Sequence, residues 1–255
     1  MISINMNKYI QDAFGLSGKT AIVIGASRGI GKAIAEGFGM AGANVIGYGR
    51  SPVKKEKNKK SLYKYKSVNF STKEKIKHEF NLINEENKNI DILVNAAGIT
   101  EPNSSDIKSF KKTFDTNLFL SYETSMCLAE LIDKSQGASI INITSIGSYL
   151  GFPKNPAYIS SKAALTGMTK ALAVDLASSN IRVNNIAPGY IHTDMTNESF
   201  KNKDKSNERL SRMIIKRWGQ VDDIVGAAIF LASKSSSYMT GSSIIIDGGW
   251  TVNGL

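Results

Sequence analysis

The stretch that decides the fold reads Ala21-Ile22-Val23-Ile24-Gly25-Ala26-Ser27-Arg28-Gly29-Ile30-Gly31, followed by Lys32-Ala33-Ile34-Ala35-Glu36. An apolar run of strand length ends in a glycine-rich turn that opens a helical pattern. Such a turn leaves the first N–H groups of the helix, and its positive end, aimed at one spot where a pyrophosphate can sit. Close packing of a strand on a helix also needs glycine, so the Gly-x-x-x-Gly-x-Gly spacing alone decides little. Placed after the first strand of an alternating chain, it predicts a dinucleotide site built from Gly25, Ser27, Arg28, Gly29, Ile30 and Gly31.

The alternation is present along the whole sequence. Apolar runs of strand length lie at 21–24, 44–47, 90–94, 139–143, 181–187 and 243–246, with a further short strand at 63–68. Between them, residues 30–41, 72–86, 105–134, 157–178 and 222–233 carry apolar stripes at helical spacing. This order predicts an α/β fold: a single Rossmann-type, doubly wound, parallel seven-stranded sheet with helices on both faces. No Pro-rich or Gly/Ser-rich linker and no repeat interrupts it, so residues 1–255 read as one domain with an extension at 1–17. The polar segment from Pro188, rich in Asn, Lys and Ser, is too long for an ordinary connection and reads as a substrate lid over 188–216.

Composition narrows the function classes. Lysine plus arginine number 32 against 22 acidic residues, a formal charge of +10, and residues 54–66 alone hold seven lysines against Glu56. The run reads either as a solvated loop or as a funnel for an anionic ligand. A nucleic-acid surface would interleave its basic residues with aromatics or line a recognition helix, whereas this run sits beside a cofactor loop, so no nucleic-acid partner is expected. Cys127 is the only cysteine and His78 and His192 the only histidines, which predicts no disulfide and no metal site. Neither a secretion signal nor a membrane-length apolar run is seen, and the expectation is a cytoplasmic protein without a membrane partner.

The end of the second strand selects between dinucleotides. A carboxylate there would hold the 2′-hydroxyl of NAD, whereas a 2′-phosphate calls for arginine. The sequence is Val45-Ile46-Gly47-Tyr48-Gly49-Arg50-Ser51, with no acid. Arg50 and Arg28 can together hold a 2′-phosphate, which predicts a preference for NADP(H) with NAD(H) still possible; the alternative is that both are solvated surface residues.

Tyr158 and Lys162 stand four residues apart in Pro156-Ala157-Tyr158-Ile159-Ser160-Ser161-Lys162, on one face of a helix. A free phenol has a pKa of about 10, and neighbouring positive charge from Lys162 and the nicotinamide is expected to lower it toward a useful acid–base range. Ser145 follows the strand Ile140-Ile141-Asn142-Ile143, where its hydroxyl can hold a substrate oxygen. Asn117 falls inside a helix, where an amide is unhelpful unless it binds something. Asn95, Ala96, Ala97 and Gly98 end the fourth strand with small side chains that allow close approach of a cofactor.

These residues together resemble the short-chain dehydrogenase/reductases, from about residue 16 to 250. The shared motifs are Gly25/Gly29/Gly31, Asn95-Ala96-Ala97-Gly98, the Asn117/Ser145/Tyr158/Lys162 tetrad and Pro188-Gly189, in the family's order. The resemblance implies that Tyr158 transfers the substrate proton and Ser145 polarises the oxygen. It further implies that Lys162 binds the nicotinamide ribose and tunes Tyr158, and that Asn117 holds a water in the proton relay. Pro188, Gly189, Ile191 and Thr193 are implied to border the nicotinamide. Departures are mild: Ile24 for a threonine, Ala96 for a second asparagine, and Asn69 for the aspartate that faces adenine.

Within the family the chain ends resemble sugar-acid dehydrogenases, in Phe14-Gly15-Leu16-Ser17-Gly18-Lys19, Arg217-Trp218-Gly219-Gln220 and Asp247-Gly248-Gly249-Trp250. Acyl-carrier-protein reductases share much of this, but tend to present arginines before the fifth and sixth strands, where Ser135 and Ser179 stand here with Arg182 nearby. A small carbonyl or alcohol substrate is expected, and a non-catalytic cofactor sensor is the alternative of another class. His192, Lys201, Lys203, Lys205, Arg209 and Arg212 make the lid basic, which suits a substrate carboxylate or phosphate or serves solubility. Ile214 replaces a proline common in relatives. Relatives assemble through the tyrosine-bearing helix and through the final strand. The apolar residues Ala163, Ala164, Leu165, Met168, Ala171, Leu172 and Val174, with Phe114, Leu118, Met126 and Leu131, and Ile244 to Ile246 with Trp250, predict a homotetramer of D2 symmetry.

Overall fold

The computed structural model describes residues 6–52, 61–87, 89–101, 106–133 and 135–253. Seven strands form one sheet: β1 (Thr20–Ile24), β2 (Asn44–Gly49), β3 (Lys64–Ser67), β4 (Ile92–Asn95), β5 (Ala138–Ile143), β6 (Ile181–Pro188) and β7 (Ser243–Ile246). Their order across the sheet is β3-β2-β1-β4-β5-β6-β7, and every neighbouring pair is parallel. The chain winds one way from β1 to β3 and the other way from β4 onward. The reversal between β1 and β4 opens a crevice at the carboxyl ends of these strands.

Alternate residues of each strand feed two separate cores. Ile22, Ile24, Tyr48, Leu93 and Ile140 pack under α3 (Lys73–Asn87), α5 (Leu120–Leu131) and α6 (Pro156–Asp175). Ala21, Val23, Val45, Val94 and Ile141 pack under α2 (Gly29–Met40) and α9 (Asp222–Ala232). Burial on both faces explains why the central strands read as nearly continuous apolar runs. β3, at the edge, alternates Lys and Tyr, and lysine on an edge strand discourages pairing with another chain.

Four sequence expectations need correction. The helix expected at 105–134 is broken into α4 (Ile107–Phe114), a π turn (Asp115–Phe119) and α5; residues 105 and 134 lie outside the described residues. The strand expected at 90–94 begins at Ile92 and ends at Asn95, although Ile90 is itself buried. The lid, read as a polar loop, folds into α7 (Asn197–Lys201) and α8 (Lys203–Arg212), the second capped by the Asn202 side chain accepting from the Lys205 N–H at 3.0 Å. Inside the stretch read only as an extension, α1 (Met6–Phe14) is helical, and Ser235 donates to its Ala13 carbonyl at 2.9 Å. Of the lysine run, only Lys64 and Lys66 fall within the described residues.

Among the described residues, no helix is long and apolar enough to cross a membrane, and no group of three His, Cys, Asp or Glu side chains could hold a metal ion.

Candidate active site

The crevice at the β1/β4 reversal is a single cleft of about 970 Å³. Of the tetrad and cofactor residues expected at the site, all line it except Asn95 and Asn117; the six basic lid residues are not among its lining. Its floor is the glycine turn. Gly25 sits at φ +91° against the backbone of Ala97, and a methyl on Gly31 would run into the carbonyl oxygen of Gly25. The turn is therefore pressed against β4 and the first turn of α2 faces the cleft, a cradle that fits a pyrophosphate.

At one end of the cleft stand Arg50, Asn69 and Phe70. β3 pins the strand end that carries Arg50: Ser67 Oγ donates to the Arg50 carbonyl at 3.1 Å and Tyr65 Oη to the Ser51 carbonyl at 2.6 Å. Arg28 also lines the cleft, but its guanidinium reaches Asp194 of the lid base at 3.5 Å, so it is shared between the ligand space and the lid. Thr193 is drawn over the glycine turn by a tight bend in which its N–H donates to Thr196 Oγ1 at 3.0 Å and Thr196 Oγ1 donates to the Ile191 carbonyl at 2.6 Å.

At the other end, β5 delivers Ser145 and α6 delivers Tyr158 and Lys162. Ser145 Oγ accepts from the Gly147 N–H at 3.0 Å, which fixes the hydroxyl at the start of the 146–148 turn. Ser148 Oγ in turn donates to the Lys162 carbonyl at 2.8 Å, tying that turn to α6. Lys162 is buried; its Nζ donates to the Ile143 carbonyl at 2.7 Å and lies 5.9 Å from the centre of the Tyr158 ring.

In the protein alone, Lys162 does not lower the Tyr158 pKa. Burial pushes the Tyr158 phenol up; the hydrogen bond with Ser145 opposes this and the neighbouring Tyr190 adds to it. Lys162 is pulled down to about 8 by its own burial. Burial, which makes each group costly to charge, is the largest cause of both shifts.

Asn117 is buried on the π turn, and its side chain is fully used within the protein. Oδ1 accepts from the Ile99 N–H at 2.8 Å, while Nδ2 donates to the Ile99 carbonyl and to Ser161 Oγ, both at 3.0 Å. The amide thus mimics a strand partner for the segment that follows β4. A π turn is a frequent mark of functional positions in helices, and here it swings Asn117 under the cleft.

Asn95 is also corrected: its side chain turns into the protein instead of toward the cleft. Nδ2 donates to Asn142 Oδ1 at 2.9 Å and to Ser125 Oγ at 3.2 Å, and Oδ1 accepts from Thr124 Oγ1 at 2.8 Å. The register places Asn95, Asn142, Asn185 and Ser243 side by side across β4 to β7. Thr169 of α6 joins Asn142 and Asn185, at 2.8 and 2.6 Å, and Asn185 Nδ2 donates to Ser243 at 3.0 Å. A satisfied buried polar chain of this kind holds α6 in one position against the sheet.

An aromatic group escaped sequence reasoning. Tyr190, Trp218, Trp250, Phe152 and Phe200 pack edge to face or tilted against one another; the Tyr190 ring is 4.8 Å from Trp250, 5.6 Å from Trp218 and 6.2 Å from Phe152. Phe152, Tyr190 and Trp218 come from loops, Phe200 from α7 and Trp250 from the turn after β7, so their meeting is not encoded in any local spacing.

The sequence pattern of a family described as enoyl-(acyl carrier protein) reductase matches residues 25–251. A 2-dehydro-3-deoxy-D-gluconate 5-dehydrogenase of Bacillus subtilis is 38% identical over 251 residues, covering 95% of this chain and 98% of that one. A 3-oxoacyl-[acyl-carrier-protein] reductase of Chlamydia trachomatis is 37% identical over 245 residues, with 92% and 98% covered. The crystal structure of a gluconate 5-dehydrogenase from Burkholderia cenocepacia, in complex with NADP and tartrate, superposes with a TM-score of 0.86 at 28% identity over 95% of this chain and 98% of that one.

Proposed function

The chain belongs to the short-chain dehydrogenase/reductase family and is an oxidoreductase of CH–OH groups; from that premise we propose that it is a cytoplasmic NADP(H)-dependent enzyme interconverting a carbonyl and a secondary alcohol on a sugar acid or related polyol. The observation that carries this reading is the convergence of Ser145, Tyr158 and Lys162 in a glycine-floored cleft that Arg50 also lines, with no acid at the end of β2. The B. subtilis and B. cenocepacia relatives, named for sugar-acid oxidation, supply the substrate class, and the latter was solved with NADP.

In this mechanism the nicotinamide supplies or accepts a hydride at the substrate carbon. Ser145 Oγ, oriented by the Gly147 N–H, hydrogen-bonds the substrate oxygen. Tyr158, protonated at neutral pH as any phenol is, gives its proton to that oxygen during reduction; in the oxidation direction it first passes its proton to the Lys162 relay and then takes the alcohol's proton as phenolate. Lys162, anchored on the Ile143 carbonyl, holds a ribose hydroxyl and reprotonates the phenol through a water. Gly98 leaves the space for that water: a methyl there would stand 3.5 Å from Lys162 Nζ and 3.6 Å from Asn117 Oδ1. Asn117 is a positioning residue that fixes the wall of this space through Ile99. Arg50 holds the 2′-phosphate, with Arg28 contributing when it leaves Asp194.

The 3-oxoacyl-[acyl-carrier-protein] reductase relative favours a second reading, reduction of a carrier-bound thioester. Against it, Arg182 does not face a partner: its guanidinium donates to the Leu231 carbonyl at 2.8 Å and the Met239 carbonyl at 3.2 Å. NADPH consumption at 340 nm, with a keto sugar acid, a neutral ketose and a β-ketoacyl thioester, separates the readings. The keto acid is expected to give the highest kcat/KM, and preference for the thioester would overturn the proposal. Assembly is proposed as a D2 tetramer, supported by the exposed small-residue face of α6 and by the exposed Ile245 and Val252 beside the last strand. Leu165 and Leu172, expected to contribute to that face, are buried in the subunit.

A further inference from the structure

The proposal above makes the substrate an anion without saying what recognises its charge. Six lid residues could do so by composition, and the structure separates them. Lys205 Nζ is engaged by Glu198 at 3.1 Å, and Lys216, just beyond, is engaged by the carbonyls of Leu210 and Ser211. His192 is stacked flat on Phe200 with ring centres 3.8 Å apart. Lys201, Lys203 and Arg212 are exposed, and the Arg212 guanidinium stands 5.9 Å from the Trp250 ring.

Arg209 is different. From α8 it lays its guanidinium over the ring of Tyr190, 4.9 Å from the ring centre. Tyr190 leaves β6 directly after Pro188-Gly189 and lies close enough to Tyr158 for the two phenols to repel each other's charge. One nitrogen of Arg209, Nη1, donates to the Lys205 carbonyl at 2.9 Å within its own helix. Its Nε is buried and has no hydrogen-bond partner, the only such side-chain atom among the described residues. No acidic side chain pairs with Arg209 among the described residues.

A buried guanidinium N–H without an acceptor is costly and calls for a partner. The Tyr190 ring covers one face of the guanidinium, so an acceptor brought by a ligand beside it gains more than it would in open water. The edge of arginine that carries Nε matches a carboxylate, which can accept two parallel N–H bonds. We propose that Arg209 is the anchor for the substrate's carboxylate, and that this contact, above the Tyr190 ring, sets the enzyme's preference for sugar acids over neutral sugars. The inference rests on the sugar-acid reading and names the group that recognises the acid.

The test is calorimetric binding to the full-length protein saturated with NADP, using gluconate and its uncharged counterpart sorbitol as probes. Wild type is expected to bind gluconate more tightly than sorbitol. Arg209→Gln is expected to weaken gluconate binding by roughly 10- to 100-fold, the worth of a hydrogen bond between charged groups, while leaving sorbitol binding within about twofold. Arg209→Lys should recover part of the loss, and Lys205→Gln should change nothing. Equal weakening of both probes would show a packing role and overturn the proposal, as would unchanged gluconate binding in Arg209→Gln. Gluconate bound through Arg209 without turnover of any keto sugar acid would support this inference and contradict the proposed activity, so the two fail separately.

Discussion

Lys162 donates to the main-chain carbonyl of Ile143 across 2.7 Å, so the buried ammonium of the tetrad is hydrogen-bonded to the end of the strand that precedes Ser145 and pairs with no carboxylate among the described residues. A lysine kept in that environment for catalysis is expected to weaken the fold. Its pKa falls from 10.5 to about 8. Between those values the unfolded chain holds a proton that the folded chain lacks, so stability rises with pH across that window; below pH 8 the full cost is present.

Lys162→Met should therefore be inactive yet more stable than wild type at pH 7 without cofactor. The shift in pKa corresponds to about 3 kcal/mol, offset by about 1 kcal/mol for the hydrogen bond lost at Ile143. Thermal melts from pH 7 to 10.5 check this: the gain in Tm should shrink as pH rises. A Tm at or below wild type at pH 7, or a gain independent of pH, would contradict the burial argument.

Gly98→Ala should fold normally, because the added methyl meets Lys162 Nζ and Asn117 Oδ1 only at ordinary van der Waals distance. It fills the place assigned to the relay water. Turnover should fall by at least about tenfold, a modest share of what acid–base groups contribute, with unchanged melting temperature. Wild-type turnover would remove the water from the relay.

Arg50→Ala should raise the KM for NADPH by roughly 10- to 100-fold, as expected for loss of a charged hydrogen-bond donor, and leave the KM for NADH within about twofold. The check is initial-rate kinetics with both cofactors. Equal effects on the two would mean that Arg50 does not read the 2′-phosphate.

Light scattering at micromolar concentration should give a mass near four subunits. Val174, 76% exposed on α6, lies on the face assigned to one of the two contacts, so Val174→Glu should yield dimers. A single-subunit mass for wild type would remove the tetramer.

What the sequence disclosed and what it hid follow from the range of the interactions involved. Buried parallel strands leave contiguous apolar runs, so β1 was legible in 21–24 without tertiary knowledge. The tetrad was legible because Tyr158 and Lys162 share a helix turn and Ser145 follows a strand end. The π turn at Asn117 was not legible, since its hydrogen-bond shift answers to Ile99 and Ser161, 18 and 44 residues away. Asn95 was placed in the cleft by its neighbours, and only the strand register shows it bonded to Asn142. In the lid, Asn202 was a helix-capping signal within a polar stretch that composition alone marked as loop. Tyr190 and Arg209 needed the fold itself to bring them together.

The central claim is that Tyr158 supplies the proton in an NADP(H)-dependent exchange between carbonyl and alcohol. The most direct test compares wild type and Tyr158→Phe in two assays on the same samples: NADPH binding by its fluorescence, and NADPH oxidation at 340 nm with the best keto substrate of the wild type. The account predicts unchanged binding and a turnover reduced by roughly 10²- to 10⁴-fold, the contribution of a general acid. Retention of more than about a tenth of the wild-type rate, with NADPH still bound, would place the proton donor elsewhere and contradict it.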